Sequence, residues 1–373
     1  MDAKVKKPNL VLDFVKKNIV FSIAATAAII SCFFVLPDEK YIGYFDFKTL
    51  VSLLVMLAVI SALRHINFFR ILANKIIKVF RTTRSAIMAL VFITYFASML
   101  IANDMALITF LPLGYFVLAS TKKEKYMAFT FIMQTIAANL GGMITPFGNP
   151  QNLFIYNFFN VPTAEFFAIM WKPTLISVIL IFVCCLFVKS ESLECAKTTN
   201  KKLDKKRALI YFVFFAYAII IVFRVVPYWT GLFVLPIIYL LDEQALKDVD
   251  YMLLLTFCMF FIFSGNLARI PAINNFFAGL LKQNTLLTGV LSCQVISNVP
   301  SAILLSGFAT DYASLLVAVN IGGCGTLISS LASLITFKHF AIYQPQNTKK
   351  YLLQAHALNF AFLAVLVVVC LLW

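Results

Sequence analysis

The chain has 373 residues, 62% of them hydrophobic and 13% charged, with a mean hydropathy of +0.92 and a formal net charge of +15. Soluble domains carry about half apolar and about a quarter charged residues, so this much apolar surface cannot be hidden inside a globule and must face lipid. A soluble enzyme, a disordered regulator and a secreted disulfide scaffold are excluded.

The first apolar run, Asn18 to Leu36, is long enough to span and lacks a small-residue cleavage signature. It is expected to be a retained helix and not a cleaved signal peptide. Further spans are expected at 47–63, 126–157, 166–188, 208–226, 229–241, 251–265, 312–337 and 351–373. Residues 85–120 are too long for one pass and carry Asn103-Asp104 at their centre. Residues 285–310 repeat the pattern around Ser297-Asn298-Val299-Pro300. Both stretches read as re-entrant hairpins, whose irregular tips must face protein or a wet cavity. Residues 64–84 and, more weakly, 268–282 read as amphipathic segments lying in the membrane interface. The polar loop 189–207 reads as a cytoplasmic linker between two transmembrane halves, 1–188 and 208–373.

Charge sets the topology. With the N-terminus in the cytoplasm and both hairpins returning to their own side, 25 basic residues fall inside and six outside. That is the positive-inside bias. It implies about nine passes plus two hairpins, an external C-terminus and a multi-pass protein of the cytoplasmic membrane. Because the basic residues sit in short blocks between apolar runs, topology explains them and nucleic acid is not an expected partner. The eight cysteines show no CxxC pair and no His at ligand spacing, so they read as small buried apolar residues.

The halves repeat each other. Asp46 opens a span in one and Asp250 in the other. Amphipathic pieces follow, "INFF" at 66–69 and "INNFF" at 273–277, and then the Asn103 and Asn298 hairpins. Next come Asn139-Leu140-Gly141-Gly142 and Asn320-Ile321-Gly322-Gly323, with Asn149 and Ser330 ten residues on and Asn152 and Ser333 thirteen on. The repeat cores are 46–188 and 250–373. An odd number of expected passes separates their starts, so the copies are expected to be inverted. Inverted repeats with helices broken at midplane mark secondary transporters.

The densest motif is 137–153, with two Pro, three Gly and three Asn in an apolar span. Such a segment breaks a helix, frees carbonyls for a cation and presents a half-helix N-terminus to an anion. Candidate substrate residues are Asn103, Asn139, Gly141, Gly142, Thr145, Asn149 and Asn152, with Gln151 adding an amide. From the second half come Ser297, Asn298, Ser301, Asn320, Gly322, Gly323, Ser330 and Ser333. Asp104 is the one acidic residue deep in an apolar run, and an intramembrane carboxylate is functional by default. With Asn103, Asn139 and Asn149 it forms the candidate cation site, for Na⁺ or a proton. Its repeat counterpart is Val299, so one strong cation site and one weak or lost one are expected. No Lys or Arg lies at either tip or break in the sequence. An anion must then be held by amides, helix N-termini and a co-bound cation. His65, His339 and His356 sit near span ends, and no HExxH, GxSxG or Walker motif is present, so an enzyme is not expected. No cofactor is expected beyond a bound Na⁺.

The segments ANDMALITFLPL (102–113), AANLGGMITPFGNPQNLFIY (137–156), QVISNVPSAILLSGF (294–308) and VNIGGCGTLISSLASLI (319–335) resemble the ion transporter superfamily. That group holds citrate and dicarboxylate:sodium symporters, arsenite permeases and one type of sodium/proton antiporter. The resemblance covers about 46–340 and is nearest to short bacterial inner-membrane anion transporters of the citrate-transporter-like branch. It implies an all-α polytopic fold with two inverted repeats, each holding a re-entrant hairpin and a broken helix. It also implies a substrate site between tips and breaks, and often a homodimer. Carboxylate symporters of the group carry Ser-Asn-Thr at both tips. Here the tips read Ala-Asn-Asp and Ser-Asn-Val, and the first looks more like the arsenite-permease side. The expected function is secondary transport of a small organic or inorganic anion, coupled to Na⁺ or H⁺ by alternating access. The alternative is arsenite efflux or Na⁺/H⁺ antiport.

Overall fold

A computed structural model describes residues 14–15, 18–71, 80–193 and 203–372. Leu72, Ile76 and Ile77 of the amphipathic segment, Cys195 and the middle of the linker (194–202) lie outside them. The described residues form α-helices and short 3-10 turns, with one isolated bridge, Thr82 to Ser192. The earlier part of the chain gives α1 (Ile19–Phe34), α2 (Phe47–His65), α3 (Thr83–Ser98), α4 (Asn103–Ser120), α5 (Met127–Gly141), α6 (Pro150–Phe158) and α7 (Thr163–Leu186). After the linker come α8 (Lys205–Val222), α9 (Val234–Leu241), α10 (Glu243–Lys247), α11 (Tyr251–Ala268) and α12 (Pro271–Gln283). The rest are α13 (Thr285–Ile296), α14 (Asn298–Ser306), α15 (Tyr312–Ile321), α16 (Leu331–Tyr343) and α17 (Thr348–Leu371).

Among the described residues, six helical segments are long and apolar enough to cross a membrane, and six more are apolar but shorter. The protein is an all-helical polytopic membrane protein. Four of the shorter helices, α3, α13, α15 and α16, flank a hairpin turn or the second break, where the sequence interrupts an apolar run.

Local chemistry sets the helix starts. Asp46 accepts the N–H of Thr49 at 3.1 Å and Asp250 accepts that of Leu253 at 3.0 Å, so the same cap opens α2 and α11. Thr82 and Ser85 form a capping box on α3. The hairpin turns share one feature. Ala102 has φ 45° and Ser297 has φ 75°, each directly before the tip asparagine. A left-handed non-glycine residue costs about 1–3 kcal/mol, so its surroundings must hold it there.

Packing interleaves the chain. α1 lies along α11 and α8 along α2. The second arm of the first hairpin, α4, packs on α16, and the second arm of the other hairpin, α14, packs on α6. Burial follows. Residues 130–143 on and after α5 are at most 2% exposed wherever a relative exposure is given, whereas α7 and α17 turn apolar side chains such as Phe182 and Val368 outward. The centre is therefore where polar groups must find one another. After α7, Glu191 accepts from Lys123, from Lys125 Nζ at 2.7 Å and from the Tyr126 hydroxyl at 2.8 Å. These donors, Lys123 foremost, hold its carboxyl down to about 2. Glu191 thus pins the chain after α7 to the base of the first hairpin.

Candidate functional site

The first break is built by its own sequence. α5 ends at Gly141, a 3-10 turn covers Gly142–Ile144, and α6 starts with Pro150 at its first position. The chain folds back too tightly for side chains. A Cβ on Gly142 would lie 2.3 Å from Asn149 Oδ1, and one on Gly148 would lie 2.2 Å from the Gly142 carbonyl. Asn152 replaces the lost helix bonds, donating to the carbonyls of Gly142, Met143 and Thr145 at 3.2, 3.1 and 3.0 Å. The Thr145 hydroxyl donates to the Met99 carbonyl at 2.6 Å and ties the break to the first hairpin turn. Gly141 packs against the backbone of Tyr95 on α3.

The second break uses other means. Gly325 sits at φ 126°, a conformation that favours glycine. Gln294 of α13 clamps the turn. Its Nε2 donates to the Gly322 and Cys324 carbonyls at 2.9 and 3.1 Å, and its Oε1 accepts the Thr326 N–H at 2.9 Å. The Ser329 hydroxyl donates to the Gly323 carbonyl at 2.9 Å. Ser330 caps α16 through the Ser333 N–H at 3.2 Å. At the second tip the Asn298 N–H donates to the Ser329 carbonyl at 2.9 Å, and the Ser297 hydroxyl reaches the same oxygen at 3.4 Å.

Asparagines join these elements. Asn103 donates to Asn139 Oδ1 at 3.1 Å. The Asn139 amide donates to the Gly323 carbonyl at 3.1 Å and to Ser330 Oγ at 3.0 Å. Asn149 donates to Asn320 Oδ1 at 3.2 Å, and Asn320 donates to Asn152 Oδ1 at 2.6 Å. All five amides are buried. Buried polar atoms are normally paired, yet Asn149 Oδ1, Gln151 Oε1 and Asp104 Oδ1 are buried without a partner among the described residues. These three oxygens are unused acceptors around the first break and tip.

Two of the expected residues meet neighbouring hydroxyls and not the asparagines. Ser301 faces its own hairpin, with its hydroxyl 2.8 Å from that of Ser292. The Ser333 hydroxyl reaches only Ser330, at 3.4 Å. One basic residue from elsewhere in the chain comes close to the first tip. No cation lies near either tip in the sequence, but Arg64, at the end of α2, places Nη1 3.8 Å from Met105 Sδ, one residue from Asp104. The same guanidinium pairs with Asp248 at 3.5 Å. Asp250 lies within electrostatic range of Asp104. Helix α2 is remote from the hairpin in sequence, and only packing brings its end there. Gln294 and Ser329 went unnoticed in the sequence. For Gln294 the available signal was a lone amide in the apolar stretch of α13.

The comparisons with known proteins agree with this architecture. Residues 10–316 match the citrate transporter family. The chain is 33% identical over 297 residues to a Methanocaldococcus jannaschii protein named as an uncharacterized transporter, covering 79% of this chain and 81% of that protein. It is 28% identical over 318 residues to the inner membrane protein YbiR of Escherichia coli, covering 83% and 84%. A polytopic helical protein with a family match over most of its length is a membrane transporter, and this chain belongs to the citrate transporter family.

Proposed function

We propose that this protein is a secondary transporter of the cytoplasmic membrane, moving a small organic or inorganic anion coupled to Na⁺ or H⁺ by alternating access. The observation that carries the proposal is the asparagine network. It joins the two breaks at the buried centre, where the first break also holds acceptor oxygens with no partner among the described residues. Broken helices facing each other across a buried polar centre suit a site that is opened first to one side and then to the other. In this reading Asn139, Asn149, Asn152, Asn320 and Ser330, whose hydrogen bonds join the breaks, frame the anion site and release amide and hydroxyl donors to it when the breaks separate. Asp104 and Asn103 hold the coupling cation, which shields the anion in place of an arginine clamp. The recurrence of span, hairpin, break and closing helix in each half supports an inverted repeat. The excess of basic residues in the inner segments supports a cytoplasmic N-terminus.

One observation favours a second reading. The unpartnered Asp104 oxygen has no counterpart at the second tip, where Val299 stands. A single carboxylate suits Na⁺/H⁺ exchange or efflux of arsenite as well as anion symport. The test is uptake of labelled citrate, succinate, sulfate and arsenite into proteoliposomes under separate Na⁺ and proton gradients. Saturable, gradient-driven uptake of one anion supports the first reading. Gradient-driven Na⁺ or H⁺ flux with no anion moving replaces it with the second.

A further inference from the structure

The six basic residues that charge bias puts on the outer side are Lys40, Lys48, Lys172, Arg224, Arg269 and Lys282. Two of them converge on one cavity. Lys48 and Arg224 line a space of about 360 Å³, with Ser52, Asn157 and Tyr228 as its other polar side chains and no carboxylate in its wall. Small-molecule sites occupy about 300–1,000 Å³.

Arg224 is fixed in advance. Its guanidinium lies 3.9 Å from the centre of the Tyr156 ring, donates to the Val161 carbonyl at 3.2 Å and also donates to the Tyr156 carbonyl. Its backbone is left-handed, at φ 61°. All these acceptors are neutral, so they orient the charge without cancelling it. Asp46 also acts on it electrostatically. That carboxylate, however, is occupied at its helix cap by the N–H and the hydroxyl of Thr49, at 3.1 and 2.6 Å. Lys48 is exposed and has no ion-pair partner among the described residues. Asn157 is 5% exposed and uses one amide N–H on Thr49 Oγ1, at 3.1 Å. It sits on α6 five residues beyond Asn152, about 7.5 Å along a helix that rises 1.5 Å per residue.

We propose that this cavity is a second anion-binding site, taking a small phosphate- or carboxylate-bearing anion at the outer end of α6. Its place on a path to the central asparagines rests on the transporter reading, whereas the binding itself does not. A lipid phosphate presents the same chemistry, and the experiment separates the two sources.

Purified full-length protein is treated with an amine-acetylating reagent, and each lysine is read by peptide mass spectrometry. The solutions hold chloride, inorganic phosphate, sulfate or citrate at equal ionic strength, or phosphatidylglycerol in the chloride buffer. Phosphate, sulfate or citrate should slow acetylation of Lys48 about fivefold, as an anion at several times its dissociation constant does. Lys40 and Lys282 should react unchanged, and Asn157→Ala should weaken the protection. Lys48→Gln should raise KM for uptake and leave kcat unchanged, because the site lies away from the breaks. Protection by phosphatidylglycerol alone assigns the cavity to a lipid headgroup and overturns the proposal. Equal reactivity of Lys48 in every solution also overturns it. Protection by soluble anions in a protein that moves none of them upholds this site and sinks the anion-transport reading alone.

Discussion

The Asn149 amide of the first break donates to Asn320 Oδ1 of the second at 3.2 Å, across 171 residues of sequence. Asn320 passes its own amide on to Asn152 at 2.6 Å. One side chain of the second break thus satisfies two of the first. An element that moves one break must move or release the other. The predictions below start from it.

Asn320→Ala removes an acceptor from Asn149 and a donor from Asn152 while leaving both buried. Each stranded group costs about 1–3 kcal/mol. The expected result is a fall in thermal midpoint by several degrees and a loss of gradient-driven uptake of at least about tenfold. Uptake equal to wild type in proteoliposomes would show that the breaks act independently.

Two glycine substitutions should part company. In Gly142→Ala the new methyl meets Asn149 Oδ1 at 2.3 Å and the Gly148 carbonyl at 2.8 Å, so the turn must open. Overpacking of this kind costs about 1–3 kcal/mol, and uptake should be lost. Gly279 is exposed on α12 with nothing within 4 Å of a built Cβ. There Ala should stabilise by about 0.5–1 kcal/mol. Thermal unfolding of both variants beside wild type checks the contrast.

Asp104→Asn keeps the shape of the first tip and removes its charge. Since Asp104 Oδ1 has no partner among the described residues and Asp250 acts on the same carboxylate, the neutral amide should leave the fold intact. Dependence of uptake on the driving cation should vanish, while equilibrium anion exchange across the vesicle persists. A variant that still concentrates anion under a cation gradient would move the coupling site away from this tip.

Glu191 gives the acid side of the stability profile. Its carboxyl is depressed to about 2 by Lys123, Lys125 and Tyr126. A depressed carboxyl contributes stability that is fully present above its unfolded value, about 4.3, and is lost as pH falls through about 2. Glu191→Gln should therefore melt lower than wild type by the same margin at pH 8 and pH 6. The gap should narrow below pH 4. Scanning fluorimetry across that range measures it, and a gap that widens in acid would refute the assignment. The group is solvent-accessible, so the effect should be modest and should shrink with salt.

Much of this molecule is legible without its structure. Apolar runs, interrupted by Asn, Gly and Pro, announce the spans and the breaks, because lipid demands satisfied backbone and only special residues tolerate its interruption. Asp46 and Asp250 mark the starts of α2 and α11, since a cap is a contact within one turn. The motif around 137–153 announces its own fold, as Asn152 and Gly142 meet within ten residues. Such features depend on neighbours along the chain.

Other features belong to packing alone. Nothing near Asn139 in sequence says that it reaches Gly323 and Ser330, or that Arg64 arrives beside Met105. Gln294 and Ser301 both lie within the segment around the second tip, yet Gln294 clamps the break while Ser301 turns back to Ser292. Composition cannot tell them apart, because the direction of a side chain is set by which helix packs on its own. The sequence by itself determined the membrane, the breaks and the polar residues available. Tertiary structure decided which of those residues meet, for the contacts spanning 171 and 191 residues form where α6 packs on α15 and α5 on α16.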